Sequence, residues 1–189
     1  VLHLLGLMAS CILLVTNARW CMRSLQWCLR KQRSQHNGDL DSFVTVSKEV
    51  VVGLRWWGVL DNLSLGRPFH IPTPEVTVVT DASTSGWGAH LEELEIRGFC
   101  SPEEQSLHIN LLELRAIRLA LKAFVLSLKD HPVQVLTDNT TAMWYVYRQG
   151  GVASSTLCRE ALRLWSWALK HWIFLVANHL AVVWNIRAD

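Results

Sequence analysis

Two short apolar runs in this chain end on aspartate in the same way: "VVTD" at residues 78–81 and "VLTD" at residues 135–138. Runs rich in valine and leucine bounded by turn residues read as strands. A carboxylate at the end of a buried strand is costly unless something pairs with it or hydrates it. If the two strands are neighbours, Asp81 and Asp138 share one rim of a sheet. Any fold for this chain has to account for that rim.

The rest of the chain supplies the sheet. "EVTVVTDA", "GWGAHLEE" and "EIRGFCS" read as three consecutive strands, with tight polar connections that suggest an antiparallel meander. A long helix follows over about Ile109–Leu128, where Asn110 and Glu113 have capping-box spacing. Then come the short strand "PVQVLTD", the helix "NTTAMWYVYRQGG" closed by glycines, the helix "SSTLCREALRLWSWALKHW" and a last strand "IFLVANHL". The order β-β-β-α-β-α-α-β predicts an α/β domain, a mixed five-stranded sheet flanked by helices.

The preceding part is different. Residues 1–35 read as a helix in which Arg and Trp alternate with apolar residues, and the polar "SQHNGDLDS" interrupts it. "VSKEVVVGLRWWGVLDNLSLGRPF" reads as a second helix with an Asn/Gly/Pro-rich end. The two prolines of "HIPTPE" favour an extended connector. This places a boundary near Thr73–Glu75 and divides the chain into a helical segment, 1–74, and a mixed domain, 75–189.

Half of the 189 residues are hydrophobic and 18% are charged, a globular and not a disordered balance. The ten tryptophans are read as core and interface residues rather than as a base-stacking surface. Arg19, Arg23, Arg30, Lys31 and Arg33 form a basic run without an acid, read as a solvated helix face or a phosphate-contacting one. Five cysteines without C-x-x-C spacing imply neither a zinc site nor a disulfide framework; a reducing, intracellular compartment is the expectation. "VLHLLGLMASCILLV" is too short to span a membrane and lacks the basic start of a signal peptide. It reads as a buried helix in a piece of a longer chain, and no membrane association is expected.

Taken singly, each acid has a structural role open to it. Asp81 suits an Asx turn, Asp138 a helix N-cap, and Glu113 the second half of a capping box. Taken together, at sequence spacings of 32 and 25, carboxylates on one rim repel one another unless a cation sits among them. Oxygen donors of this kind suit Mg²⁺ or Mn²⁺. No phosphate-binding glycine loop or nucleophile elbow competes with that reading.

The stretches "VVTDASTSGWGAHL", "HINLLELRAIRLALKAF", "VLTDNTTAMWYVYRQGG" and "NHLAVVWNIRAD" resemble the ribonuclease H domain of DIRS-like retrotransposon reverse transcriptases, and gypsy-type elements carry a related domain. The resemblance covers about residues 75–189. Upstream, "LLGLMAS" and "LRWW…NLSLGRPF" are similar to the region that joins polymerase and ribonuclease H parts in such polyproteins. The resemblance implies an RNase H-like fold in which Asp81, Glu113, Asp138 and Asp189 hold two Mg²⁺ ions, with Mn²⁺ able to substitute and Asp81 bridging both. It implies endonucleolytic hydrolysis of the RNA strand of RNA–DNA hybrids, with the polymerase region of the same polyprotein as partner. Gly86 and Gly88 would let the backbone approach the strand. Asn139, Arg148 and Gln149 match positions that touch nucleic acid, although Arg148 and Gln149 also suit a solvated helix end. His179 matches a histidine that assists proton transfer or product release, or serves the structure.

The chain departs from the family twice. It has His179-Leu180-Ala181-Val182 where the family reads His-Ile-Pro-Gly, and it stops at Asp189 where the family continues into a helix. A C-terminally truncated domain with impaired activity is the corresponding expectation. The alternatives are a decayed, inactive copy that binds nucleic acid or fills a structural role, and a transposase or integrase of the same superfold. The last needs a glutamate about 35 residues past the second aspartate. Ile173 stands there, and Glu160 is the only glutamate after Asp138.

Overall fold

In the computed structural model, which describes residues 1–35, 43–64, 66–70 and 72–181, the chain divides into two units, Val1–Ile71 and Pro72–Asp189. Residues 36–42, where the sequence predicts a polar interruption, lie outside the described residues, and so does Asp189.

The first unit is helical: α1 Leu2–Ser10, α2 Ala18–Gln35, α3 Lys48–Trp57 and α4 Leu60–Ser64. The single helix expected over 1–35 is two. Asn17 takes a left-handed φ of 63°, which asparagine tolerates better than most residues. Next to it, Thr16 Oγ1 donates to the Gly66 carbonyl at 2.6 Å, a tertiary bond that no local pattern announces. Met8, Met22, Leu25 and Val50 form a small core. α3 lies close on α2 because Gly53 has no side chain; a Cβ there would fall 2.6 Å from the Cys21 carbonyl oxygen. The basic run is not one solvated face. Arg23 is buried and its Nη1 donates to Gln26 Oε1 at 2.8 Å, whereas Arg30, Lys31 and Arg33 are exposed.

The second unit is built on five strands: β1 Val76–Ala82, β2 Gly86–Leu91, β3 Leu94–Phe99, β4 Pro132–Thr137 and β5 Phe174–His179. Their order in the sheet is β3-β2-β1-β4-β5. The first three form the antiparallel meander, and β1–β4 and β4–β5 are parallel. The parallel pairs need crossovers, which the helices provide. These are α5 Pro102–Gln105, α6 Ile109–Ala123, α7 Val125–Leu128, α8 Thr140–Tyr147 and α9 Ser155–Lys170. α6 packs on β1 and β2, α8 on β5 and β4, and α9 against α6. Val78, Leu114, Ile117, Leu121, Val133, Val135 and Leu164 fill the core at no measurable exposure.

The long helix expected to Leu128 ends at Ala123. The backbone shifts at Phe124 and resumes as α7, which lets Phe124 and Leu128 both face the core while Leu126 is exposed. Among the described residues, no helix is long and apolar enough to cross a membrane.

Candidate functional site

β1 and β4 run side by side with Val79 opposite Leu136, a register that sets Asp81 level with Asp138 at the ends of the two strands. Asp138 does not cap α8. Asn139 does, its side chain accepting from Ala142 N–H at 2.9 Å, so the carboxylate of Asp138 is left for the rim. Glu113 reaches the same place from α6. The capping box expected between Asn110 and Glu113 is not made. His108 is the N-cap, its Nδ1 accepting from Asn110 N–H at 3.1 Å. Glu113 is therefore a full turn inside the helix, buried among apolar residues.

One ligand oxygen from each of Asp81, Glu113 and Asp138 lies within 4.8 Å of the other two. Glu113 is 3% exposed, and its Oε2 is buried without a hydrogen-bond partner. Burial first, and then the neighbouring Asp81 and Asp138 charges, push this carboxyl up to about 8, with the Ala82 N–H opposing them. A protonated Glu113 relieves the repulsion by sharing its proton with Asp81. A divalent cation relieves it more completely. The donor set is all carboxylate oxygen, with one buried oxygen unsatisfied, and it fits a hard cation such as Mg²⁺ or Mn²⁺.

The other predicted residues are placed as follows. Gly88 is the register partner of Asp81, and Gly86 begins the same strand. Asn139 adjoins the carboxylates, and its Nδ2 donates to Asn110 Oδ1 at 2.9 Å. His179 ends β5, and its Nε2–H donates to the Asp138 carbonyl at 3.0 Å. That bond commits Nε2 as a donor, so any proton accepted by a neutral His179 arrives at Nδ1. Arg148 and Gln149 are not brought to the carboxylates. They close the far end of α8, about 12 Å along the helix from Asn139. Arg148 lies over the Trp144 ring at 4.4 Å, and Gln149 turns the chain with a φ of 53°. Asp189 is outside the described residues.

Two residues near the site were not singled out from the sequence. Asn110 was read as a cap; its position one turn before Glu113 was the available signal. Arg97, on β3, falls within the predicted strand "EIRGFCS" and carries no local signal of a role. Glu160, which a transposase-like site would need as a ligand, is spent elsewhere. It is buried and paired with Arg118 Nε, with Arg163 Nη1 at 3.5 Å.

No protein-family model matches the chain, and no curated protein matches it either. Among solved structures it is similar to LC11-RNase H1 in complex with an RNA/DNA hybrid, at 19% identity and a TM-score of 0.52 over 61% of this chain and 91% of that one. It is similar also to RNase H1 from the halophilic archaeon Halobacterium salinarum NRC-1, at 19% identity and a TM-score of 0.51 over 60% and 91%. These likenesses show the fold: the five-stranded sheet and its helices are RNase H-like.

Proposed function

We propose that residues 75–189 form a ribonuclease H domain that hydrolyses the RNA strand of RNA–DNA hybrids. We propose further that it belongs to a DIRS-like or gypsy-like retroelement reverse transcriptase polyprotein. Residues 1–74 are then the connection to a polymerase region, the domain's partner in that polyprotein. The observation that carries the reading is the convergence of Asp81, Glu113 and Asp138 within 4.8 Å, at the strand ends of an RNase H-like sheet. Asp189 joins them as the fourth ligand by resemblance.

On this reading Asp81, Glu113, Asp138 and Asp189 would hold two Mg²⁺ ions, with Mn²⁺ able to replace them. When bound, such ions activate the attacking water and stabilise the leaving 3′ oxygen of an in-line displacement. The chain's own residues do the positioning. Asp81 and Asp138 are fixed by adjacent strand backbones and Glu113 by a packed helix, so the donors need little reorganisation. Asn110 and Asn139 lock the two helix starts together. His179, held through Nε2–H by the Asp138 carbonyl, keeps Nδ1 for proton transfer. The absence of side chains at Gly86 and Gly88 lets a strand approach next to Asp81.

The test is to incubate the purified protein with end-labelled RNA–DNA hybrid, RNA duplex and DNA duplex, each with Mg²⁺ and with EDTA. Cleavage confined to the RNA of the hybrid and abolished by EDTA is the expected result. Hybrid binding without cleavage in Mg²⁺, and again when Mn²⁺ replaces it, would favour the decayed, binding-only copy.

A further inference from the structure

The register of the meander puts Asp81, Gly88 and Arg97 in one cross-strand row. Residues directly opposite in neighbouring strands share a face of the sheet, so Asp81 and Arg97 flank a position with no side chain. In the next row, Gly86 stands opposite Phe99. The result is a groove of about 650 Å³ that starts at Asp81, is floored by the two glycines and is walled by Arg97 and Phe99.

The floor is built to stay open. A Cβ at Gly86 would fall 2.5 Å from the Gly98 carbonyl oxygen. Trp87, one residue out of phase and so on the reverse face, lays its indole where a Gly98 side chain would be, with Nε1 2.5 Å from that position. The indole braces β2 against β3 from behind. Among the described residues Arg97 is the only cation lining the groove; it is exposed and makes no ion pair with them. Glu95, the other charged wall residue on β3, is the register partner of His90. Phe99 is 90% exposed on the edge strand, an unusual place for a phenylalanine without a ligand.

We propose that this groove seats the RNA strand as it leaves the carboxylates, with Arg97 binding one backbone phosphate and Phe99 packing against the adjoining sugar or base. Two inter-strand spacings of about 4.8 Å separate the Asp81 and Arg97 backbones, so the phosphate is within a few nucleotides of the cut. The inference rests on the ribonuclease H reading and adds to it a binding residue on β3.

The experiment measures binding of a fluorescent RNA–DNA hybrid by anisotropy across a salt series. It uses full-length Asp81→Asn protein so that the hybrid stays intact. Adding Arg97→Ala should weaken binding several-fold and reduce the slope of log K against log salt by about 0.9, the value of one lost phosphate contact. Arg97→Lys should restore the slope. Phe99→Ala should weaken binding about five-fold or more with the slope unchanged. Lys129→Ala, at the opposite end of the sheet, should change neither. Arg97 is an exposed edge-strand residue, and circular dichroism will verify that its variants fold. If Asp81→Asn protein binds the hybrid and Arg97→Ala leaves both affinity and slope unchanged, the groove assignment is overturned and the ribonuclease H reading stands. If the hybrid is not bound at any salt, both fall.

Discussion

Glu113 and Asp81 hold carboxylate oxygens within 4.8 Å of each other, one from the interior of α6 and the other from the end of β1, and the glutamate is almost wholly buried. Two acids so placed are a liability to the metal-free protein. The linkage follows from the raised carboxyl of Glu113: about 8 in the folded chain against 4.5 for an unperturbed glutamate. Between those values the folded state binds more protons than the unfolded one, so stability falls as pH rises from about 4.5 through about 8. Thermal melts in EDTA should show this loss, on the order of a few kcal/mol. Glu113→Gln should flatten the profile and melt higher than the parent at pH 8. Mg²⁺ should stabilise the parent at pH 8 more than the variant.

Asp81→Asn preserves shape and removes the charge that attracts a cation. Hydrolysis should fall by about 10³-fold or more, the scale on which single transition-state contacts act. The melting temperature in EDTA should hold or rise, because a repulsive partner of Glu113 is gone.

Asn139 has two jobs that substitution can separate. Asn139→Ala loses the α8 cap, costing about 1 kcal/mol, and also the bond to Asn110 that ties α8 to the start of α6. Asn139→Ser keeps a capping oxygen but cannot span to Asn110. Chemical denaturation should find the serine variant close to the parent in stability. Mn²⁺ titration followed by electron paramagnetic resonance should find both variants binding the ion more weakly.

Arg118 and Glu160 join α6 to α9 through a buried ion pair. Arg118→Ala strands a buried carboxylate and should cost about 3–5 kcal/mol by urea denaturation. Replacing both residues by apolar ones of similar volume should recover most of that loss. A single variant as stable as the parent would mean that Arg163 alone satisfies Glu160.

The site was legible wherever an acid broke an apolar pattern. Asp81 and Asp138 ended valine-rich runs, and Glu113 interrupted a helix face otherwise made of leucines. The strands themselves followed from the same runs, because alternation and turn residues are local signals, whereas the place of β4 beside β1 is a long-range pairing. What sequence could not show depended on partners far along the chain. Asn17 breaks the first helix beside a threonine that bonds to Gly66, and Arg23 leaves the basic face to be buried in its own unit. Asn110 looked like a cap because its true partner, Asn139, is 29 residues away. Arg97 is meaningful only once the hairpin register sets it across Gly88 from Asp81.

The most direct measurement compares the parent and Asp81→Asn on one end-labelled RNA–DNA hybrid in Mg²⁺, with products resolved at single-nucleotide length. The account predicts that the parent cuts the RNA and spares the DNA, leaving 3′-hydroxyl ends, and that the variant binds the hybrid with little or no cutting. Equal cutting by both proteins, or an uncut hybrid with the parent in Mg²⁺ and in Mn²⁺, would contradict it.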